Sequence, residues 1–353
     1  MKILFYISTI KGGGAARVMS NIANELSREN EIVFVTNFPA EHEYKLNDGI
    51  TRVNLSQHEL KSNALIRNYC LIKALRKILK CEAPNVAVSF MGENNVRLLF
   101  ANAGLNTKTI ISVRNDPRRE YPSRKYPKAT DLIYQRANGV VFQTEDAKAF
   151  FSEKVQSKSR IIFNQVDAGF FQKNNKPGKY IVACGRLSKQ KNYPMMLRAF
   201  AEVHKEYPSE RLLIYGEGEL KDDLASLAKT LNIENVVKFM GFSSDMRNVY
   251  KEAKMLVMTS DYEGMPNAML EALASSVPVI STDCPCGGPR MMIKDGINGY
   301  LVPVGNHNML SIRIKEMLTE DYYLKLRCNA FMSAEVVKPD KVYAFWKDFI
   351  LKV

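Results

Sequence analysis

The chain has 353 residues, beyond the roughly 250–300 at which a single hydrophobic core stops growing, so two domains are expected. It is 46% hydrophobic and 25% charged, ordinary for a soluble globular protein, and no segment approaches the ~18 consecutive apolar residues of a membrane-spanning helix. The net charge of +13 is uneven, with 25 basic against 16 acidic residues in 1–170 and 25 against 21 in 171–353; such a surface attracts nucleic acid, anionic lipid or a pyrophosphate-bearing substrate, and charge alone does not choose.

Short β-branched or aromatic runs alternate with amphipathic stretches, the pattern of βα units around parallel sheets. The run Ile3–Ile7 is too short for a signal-peptide core and reads as a buried first strand. It leads into Lys11-Gly12-Gly13-Gly14-Ala15-Ala16-Arg17-Val18, a glycine turn opening a helix near Ala15–Arg28. Strand, glycine turn and helix aim backbone N–H groups at an anion, although the spacing fits neither a dinucleotide fingerprint nor a P-loop. Further strands are expected at Glu31–Thr36, Val86–Phe90, Thr109–Val113 and Gly139–Gln143, with helices near Ala64–Lys80 and Asn94–Ala103. The helix over 65–80 has apolar residues at helical spacing and five cations, the pattern of a core-facing helix with a solvated basic side. From Arg114 to Lys128, the cations Arg118, Arg119, Arg124, Lys125 and Lys128 interleave with Tyr121, Tyr126 and three prolines, a composition suited to an anionic membrane interface.

The polar stretch Asn174-Asn175-Lys176-Pro177-Gly178-Lys179 reads as a linker, which divides the chain into 1–170, 171–335 and a closing helix over 336–353. That closing segment carries Tyr343, Phe345, Trp346, Phe349 and Ile350 and is expected to pack back on the first domain. The six cysteines form no disulfide framework, and Cys284-Pro285-Cys286 without a second pair is weak support for zinc; no metal is expected.

The second domain restarts the rhythm with strands at Tyr180–Cys184, Arg211–Tyr215, Val236–Met240, Met255–Met258 and Val279–Ser281, and helices near Pro194–Glu206, Leu220–Thr230 and Pro266–Ala274. After its first strand come Gly185, Arg186 and Lys191, two cations suited to clamping a diphosphate at a strand's carboxyl end. Gly216 and Gly218 follow the next strand, and Phe242 the one after, a reasonable wall for a nucleobase. Glu263-Gly264-Met265-Pro266-Asn267-Ala268-Met269-Leu270-Glu271 then sets two carboxylates eight positions apart across a helix start. Pro266 suits the first helical turn and Gly264 a close backbone approach, so both acids could accept hydrogen bonds from one polyhydroxylated ligand.

Gly12–Val18, Gly185–Asn192, Glu263–Glu271 and Asp295-Gly296-Ile297-Asn298-Gly299-Tyr300-Leu301-Val302 together resemble retaining glycosyltransferases of the GT-B fold, family four. Asp283-Cys284-Pro285-Cys286-Gly287-Gly288-Pro289-Arg290 resembles members that build bacterial surface polysaccharides such as capsule or O-antigen. The resemblance implies two Rossmann-like doubly wound α/β domains facing each other across a cleft. It also implies donor contacts by Arg186, Lys191, Glu263 and Glu271, with Gly264, Met265, Pro266 and Asn267 beside them. Gly13 and Gly14 would approach the phosphates or acceptor, and Arg17 an acceptor or sugar. Many relatives have a histidine where this chain has Ile111-Ser112-Val113-Arg114-Asn115-Asp116; Arg114 or Asn115 is expected to replace it at the sugar.

Breaking a glycosyl–phosphate bond builds negative charge on the departing diphosphate, which preorganised cations stabilise without a metal or other cofactor. The expected activity is transfer of a hexose or N-acetylhexosamine from a nucleotide-diphosphate sugar, UDP by resemblance, to a lipid-linked glycan, with retained configuration. The expected place is the cytoplasmic membrane's inner face, as a peripheral protein. Two alternatives stand beside it. A sugar-nucleotide epimerase would need more acid/base groups than four histidines supply, and a basic nucleic-acid-binding protein would show a recognition motif that is lacking here.

Overall fold

The computed structural model describes residues 1–11, 13–57, 63–120, 125–174, 176 and 178–353, and divides into two units. Unit 1 comprises Met1–Gln165 with Asp340–Val353; unit 2 is Val166–Pro339.

Among the described residues, unit 1 holds a seven-stranded parallel sheet: β1 (Lys2–Tyr6), β2 (Glu31–Thr36), β3 (Thr51–Asn54), β4 (Val86–Phe90), β5 (Lys108–Ser112), β6 (Gly139–Phe142) and β7 (Ser159–Ile161). Their spatial order is β3-β2-β1-β4-β5-β6-β7, so the winding reverses between β1 and β4. Successive side chains of β1 point to opposite faces. Ile3 and Phe5 join the core under the helix Gly14–Leu26, whereas Leu4 and Tyr6 join the core under the helix Ala64–Glu82. Burial on both faces explains why the strand is a continuous apolar run rather than an alternating one.

The closing helix, Pro339–Lys352, completes the first of those cores through Val342, Trp346, Phe349 and Ile350. Trp346 is fully buried with its ring 5.6 Å from Phe90. A Cβ at Gly139 would stand 2.9 Å from Phe349 Cζ, so a larger residue there would push that ring aside. Phe345, expected on the docked face, is instead 43% exposed and carries the Arg160 guanidinium 4.9 Å from its ring centre.

Unit 2 holds, among the described residues, a six-stranded parallel sheet: β8 (Tyr180–Cys184), β9 (Leu212–Tyr215), β10 (Val237–Gly241), β11 (Ala253–Met258), β12 (Val279–Thr282) and β13 (Gly299–Val302). The order β10-β9-β8-β11-β12-β13 reverses between β8 and β11. In open α/β sheets the crevice at the carboxyl ends of such a strand pair is where ligands bind.

Three edge strands were not anticipated. β3 and β7 are three or four half-buried residues, too short and polar for a period-two signal. The turn-like Gly299 opens β13 because a Cβ there would meet Val279 O at 2.1 Å; the glycine marks tight strand pairing. Helices over His307–Met317 and Glu320–Ser333 also went unread. The unit boundary falls five residues before the expected 170/171. Val166 N donates to Val337 O at 3.0 Å and Phe170 packs on Tyr250, which ties the segment after 165 into unit 2. Asn175 and Pro177 of the expected linker lie outside the described residues, and Asn174 inside unit 2 donates to Lys251 O. Among the described residues no helix is long and apolar enough to cross a membrane.

Candidate functional site

In unit 2 the loops after β8 and β11 meet at the winding reversal. Beyond Cys184 the backbone turns at Gly185 with φ +147°, runs through exposed Arg186 and buried Leu187, and forms a short 3-10 turn, Lys189–Lys191. Asn192 adopts a left-handed conformation, φ 45°, and its side-chain oxygen caps the helix Tyr193–Glu206. The Asn192 amide also donates to Asp261 Oδ1 at 2.8 Å, and Thr259 Oγ1 donates to Lys191 O at 2.9 Å. These bonds lock one loop to the other.

Lys191 Nζ then forms an ion pair with Glu263 Oε1, an oxygen that also accepts from Ser260 Oγ at 2.8 Å. The Glu263 backbone is clipped on both sides, its N–H to Pro285 O at 2.7 Å and its carbonyl to Cys286 N at 2.9 Å. A largely buried carboxylate needs a cation and further donors to offset its lost hydration, and Lys191 and Ser260 supply them. The sequence reading assigned Lys191 and Glu263 to separate ligand contacts. The structure makes them one electrostatic unit, so a ligand phosphate at Lys191 shares a cation with Glu263.

Arg186 has no ion pair or hydrogen bond of its guanidinium among the described residues, and its fork is displayed to solvent. Glu271 is buried in the helix Asn267–Ala274, which starts one residue after the expected Pro266 because Pro266 keeps extended ψ, 120°. Glu271 lies close enough to Cys184 to be felt there. Burial pushes the Cys184 thiol up to about 11, and the Glu271 charge adds to the rise. Burial likewise raises the Tyr193 phenol, whose hydroxyl donates to Gly185 O at 3.0 Å, and pushes the Cys284 thiol up to about 12 with help from Glu263. Met265 and Gly264 are buried, and Asn267 is half-buried at the helix start.

The glycines after β9 answer to packing. A Cβ at Gly216 would stand 2.0 Å from Gly185 O, and one at Gly218 2.4 Å from Leu187 O. Their identity is explained without a ligand. Gly216 N donates to Gly241 O at 2.8 Å, which sets Phe242, 77% exposed, beside that turn with a free aromatic face. A Cβ at Gly288 would lie only 1.6 Å from Gly264 O, so this glycine positions the loop that carries Glu263.

In unit 1, Gly13 (φ 79°) precedes the helix Gly14–Leu26, whose first turn has no side-chain cap, leaving backbone donors for an anion. Gly13 and Gly14 are exposed and Arg17 is half-buried on that turn; Gly12 lies outside the described residues. Arg114 is enclosed by its neighbours in unit 1. Its guanidinium stacks 3.7 Å from the Phe90 ring centre and 5.7 Å from that of Trp346, donates to Asn164 Oδ1 at 2.7 Å, and is buried, which pushes its pKa down to about 9. The aromatic faces hold the guanidinium within unit 1. Asn115 is half-buried with no side-chain hydrogen bond among the described residues, and keeps the contact role open.

A pocket of about 240 Å³ at the carboxyl ends of β1, β2 and β4, lined by Phe38 and Leu71 as well as Ser8, Asn37, Arg67, Glu93 and Arg97, escaped the sequence reading. So did Ser260, although a serine three residues before Glu263 was the available signal. Among the described residues no group of three or more His, Cys, Asp or Glu side chains is arranged to hold a metal ion.

Residues 167–331, nearly all of unit 2, match the family described as glycosyl transferases group 1. Over 93% of its length the chain is 27% identical to the GalNAc-alpha-(1->4)-GalNAc-alpha-(1->3)-diNAcBac-PP-undecaprenol alpha-1,4-N-acetyl-D-galactosaminyltransferase of Campylobacter jejuni, covering 92% of that relative. It is 25% identical to the amylovoran biosynthesis glycosyltransferase AmsD of Erwinia amylovora, over 99% of both chains. The fold is that of Anabaena HepE solved with UDP-glucose, with a TM-score of 0.83 over all of both chains at 16% identity. The two parallel-sheet α/β domains expected from the sequence are thus those of the GT-B fold, and the likeness to curated glycosyltransferases supports glycosyltransferase chemistry.

Proposed function

We propose that this chain transfers a hexose or N-acetylhexosamine from a UDP-sugar to a hydroxyl of a lipid-diphosphate-linked glycan, with retention and without a metal, in bacterial surface glycan synthesis. The observation that carries the proposal is the meeting of Lys191 and Glu263 at the carboxyl ends of β8 and β11, with exposed Arg186 on the same loop as Lys191. Arg186 offers a forked, unpaired guanidinium to the diphosphate. Lys191 adds a compact charge from beneath, and as the glycosyl–phosphate bond lengthens both cations meet growing negative charge. Glu263 and Glu271 accept hydrogen bonds from sugar and ribose hydroxyls, and Phe242 stacks on the base. Binding of UDP-glucose by HepE supports the choice of nucleotide, and the undecaprenol-linked substrate named for the Campylobacter relative supports the acceptor.

Unit 1 takes the acceptor, with Gly13, Gly14, Arg17, Asn115 and the pocket at Arg97 as its contacts. The chain works on the cytoplasmic face of the membrane. Of the basic loop expected to rest there, Arg118, Arg119 and Lys128 are exposed, and Tyr121 and Arg124 lie outside the described residues. The helix Ala64–Glu82 adds a second surface. Leu71, Leu75 and Leu79 face the core, while Ile66, Tyr69, Lys73, Lys77 and Lys80 share an exposed face on which Ile66 is 54% and Tyr69 66% exposed. Apolar residues followed by lysines suit an anionic interface.

The test is calorimetric titration with UDP. Arg186→Ala removes an exposed, unpartnered side chain, so the melting temperature should hold while UDP affinity falls about tenfold or more, as expected for a charge-assisted contact. Unchanged UDP affinity would overturn the diphosphate assignment. Isomerised nucleotide sugar formed without an acceptor would instead mark an epimerase.

A further inference from the structure

At the opposite, amino ends of unit 2's central strands, where β8 and β11 begin, lies a pocket of about 520 Å³. Its rim carries Lys173, Lys176, Lys179, Arg247 and Lys251 against one lining carboxylate, Glu252. Two of these cations are neutralised, Lys179 by Glu252 at 2.8 Å and Arg247 by Asp167 at 2.9 Å. Lys173, Lys176 and Lys251 have no ion pair among the described residues.

The frame is fixed. Asn174 Nδ2 donates to Lys251 O at 3.0 Å, Asn174 N to Ser276 Oγ at 3.2 Å, and Lys179 N to Glu252 O at 2.7 Å. The Arg247 guanidinium lies 5.5 Å from the Phe170 ring centre, against Gly169, where a Cβ would come within 2.6 Å of it. Behind this wall Arg327 is 1% exposed and donates to Asn174 O, Ala253 O and the Tyr323 hydroxyl. Its Nη2 has no partner, and none of its partners is a carboxylate. A buried guanidinium without a counterion is unfavourable unless its charge is used, and here it adds to the field of three unpaired lysines. All three are exposed, and all three line the same concavity.

We propose that this pocket is a second anion site of unit 2, taking a phosphate-bearing ligand such as a soluble diphosphate or a phospholipid headgroup. It is separate from Arg186 and Lys191, which follow the opposite end of the five-residue β8, roughly 17 Å away at ~3.3 Å per residue. A phosphate bridging Lys173 and Lys251 ties the segment entering β8 to the helix Met246–Lys251.

The experiment uses the full chain carrying Arg186→Ala, so that the donor clamp does not compete. Inorganic pyrophosphate is titrated by calorimetry, and flotation is measured with phosphatidylglycerol and with phosphatidylcholine vesicles. Saturable pyrophosphate binding, weakened at least tenfold by Lys173→Glu/Lys251→Glu and less by Lys173→Ala/Lys251→Ala, supports the site with a soluble ligand. Flotation with phosphatidylglycerol alone that the same variants abolish supports it with a lipid headgroup. If the variants keep wild-type melting but bind both probes as before, or if neither probe binds the parent chain, the proposal is overturned.

Discussion

Gly288→Ala adds a single methyl group at the point where the loop carrying Glu263 rests on the helix Gly288–Met292. The new Cβ would sit 1.6 Å from Gly264 O and 2.7 Å from Gly264 C. Relief to about 3.2 Å requires a shift of roughly 1.5 Å, in backbone rather than a flexible side chain, an overpacking cost of about 2 kcal/mol. For unit 2, with 174 residues from 166 to 339, that corresponds to a melting-temperature fall of about 4–8 °C. Glu263 is the neighbour of Gly264, so its carboxylate moves with the loop, and a misplacement near 1 Å costs about 10²-fold in transfer rate. Differential scanning calorimetry reads the first effect and a coupled UDP-release assay the second. Gly49→Ala is the control, since its Cβ meets nothing within 4 Å and neither quantity should change. Wild-type melting and turnover in Gly288→Ala would refute the claim that this contact positions Glu263.

Lys191→Ala strands the Glu263 carboxylate with one serine donor and should cost about 3 kcal/mol in urea unfolding, whereas Lys191→Ala/Glu263→Gln recovers most of that stability without recovering transfer. Equal destabilisation of the single and double variants would deny the pair its structural role. The buried thiols give a pH prediction. Burial, with Glu271 and Glu263 adding, raises Cys184 from 9.0 to about 11 and Cys284 from 9.0 to about 12. For an acid whose folded pKa is raised, the folded state binds more protons, so stability is full below pH 9 and falls as pH climbs toward those values. Urea unfolding between pH 9 and 10 should lose about 1 kcal/mol per thiol, and Cys184→Ala should remove one share. A slope unchanged by that substitution contradicts the assignment.

The strands buried on both faces were legible because Ile3–Ile7 or Tyr180–Cys184 is apolar throughout, a local signal that needs no partner. Lys191 and Glu263 were legible as candidates because each follows a strand at a glycine-marked turn. Their pairing was not, since it depends on β8 and β11 being neighbours in the sheet although 68 residues separate the start of β11, Ala253, from position 185. The surroundings of Arg114 were hidden for the same reason. Phe90 and Trp346 decide where its guanidinium goes, and neither is near it in sequence. The polar stretch 174–179 looked like a linker by composition, yet its hydrogen bonds to the helix at 246–251 and to Ser276 place it inside unit 2.

The return of residues 340–353 to unit 1 orders events during synthesis. Unit 2 is one uninterrupted stretch and can reach its native contacts as soon as Pro339 has left the ribosome. Unit 1, although its sheet emerges first, must wait with Phe90 and Gly139 uncovered until Trp346 and Phe349 arrive. Premature termination just after unit 2 would therefore damage the half of the protein translated earliest.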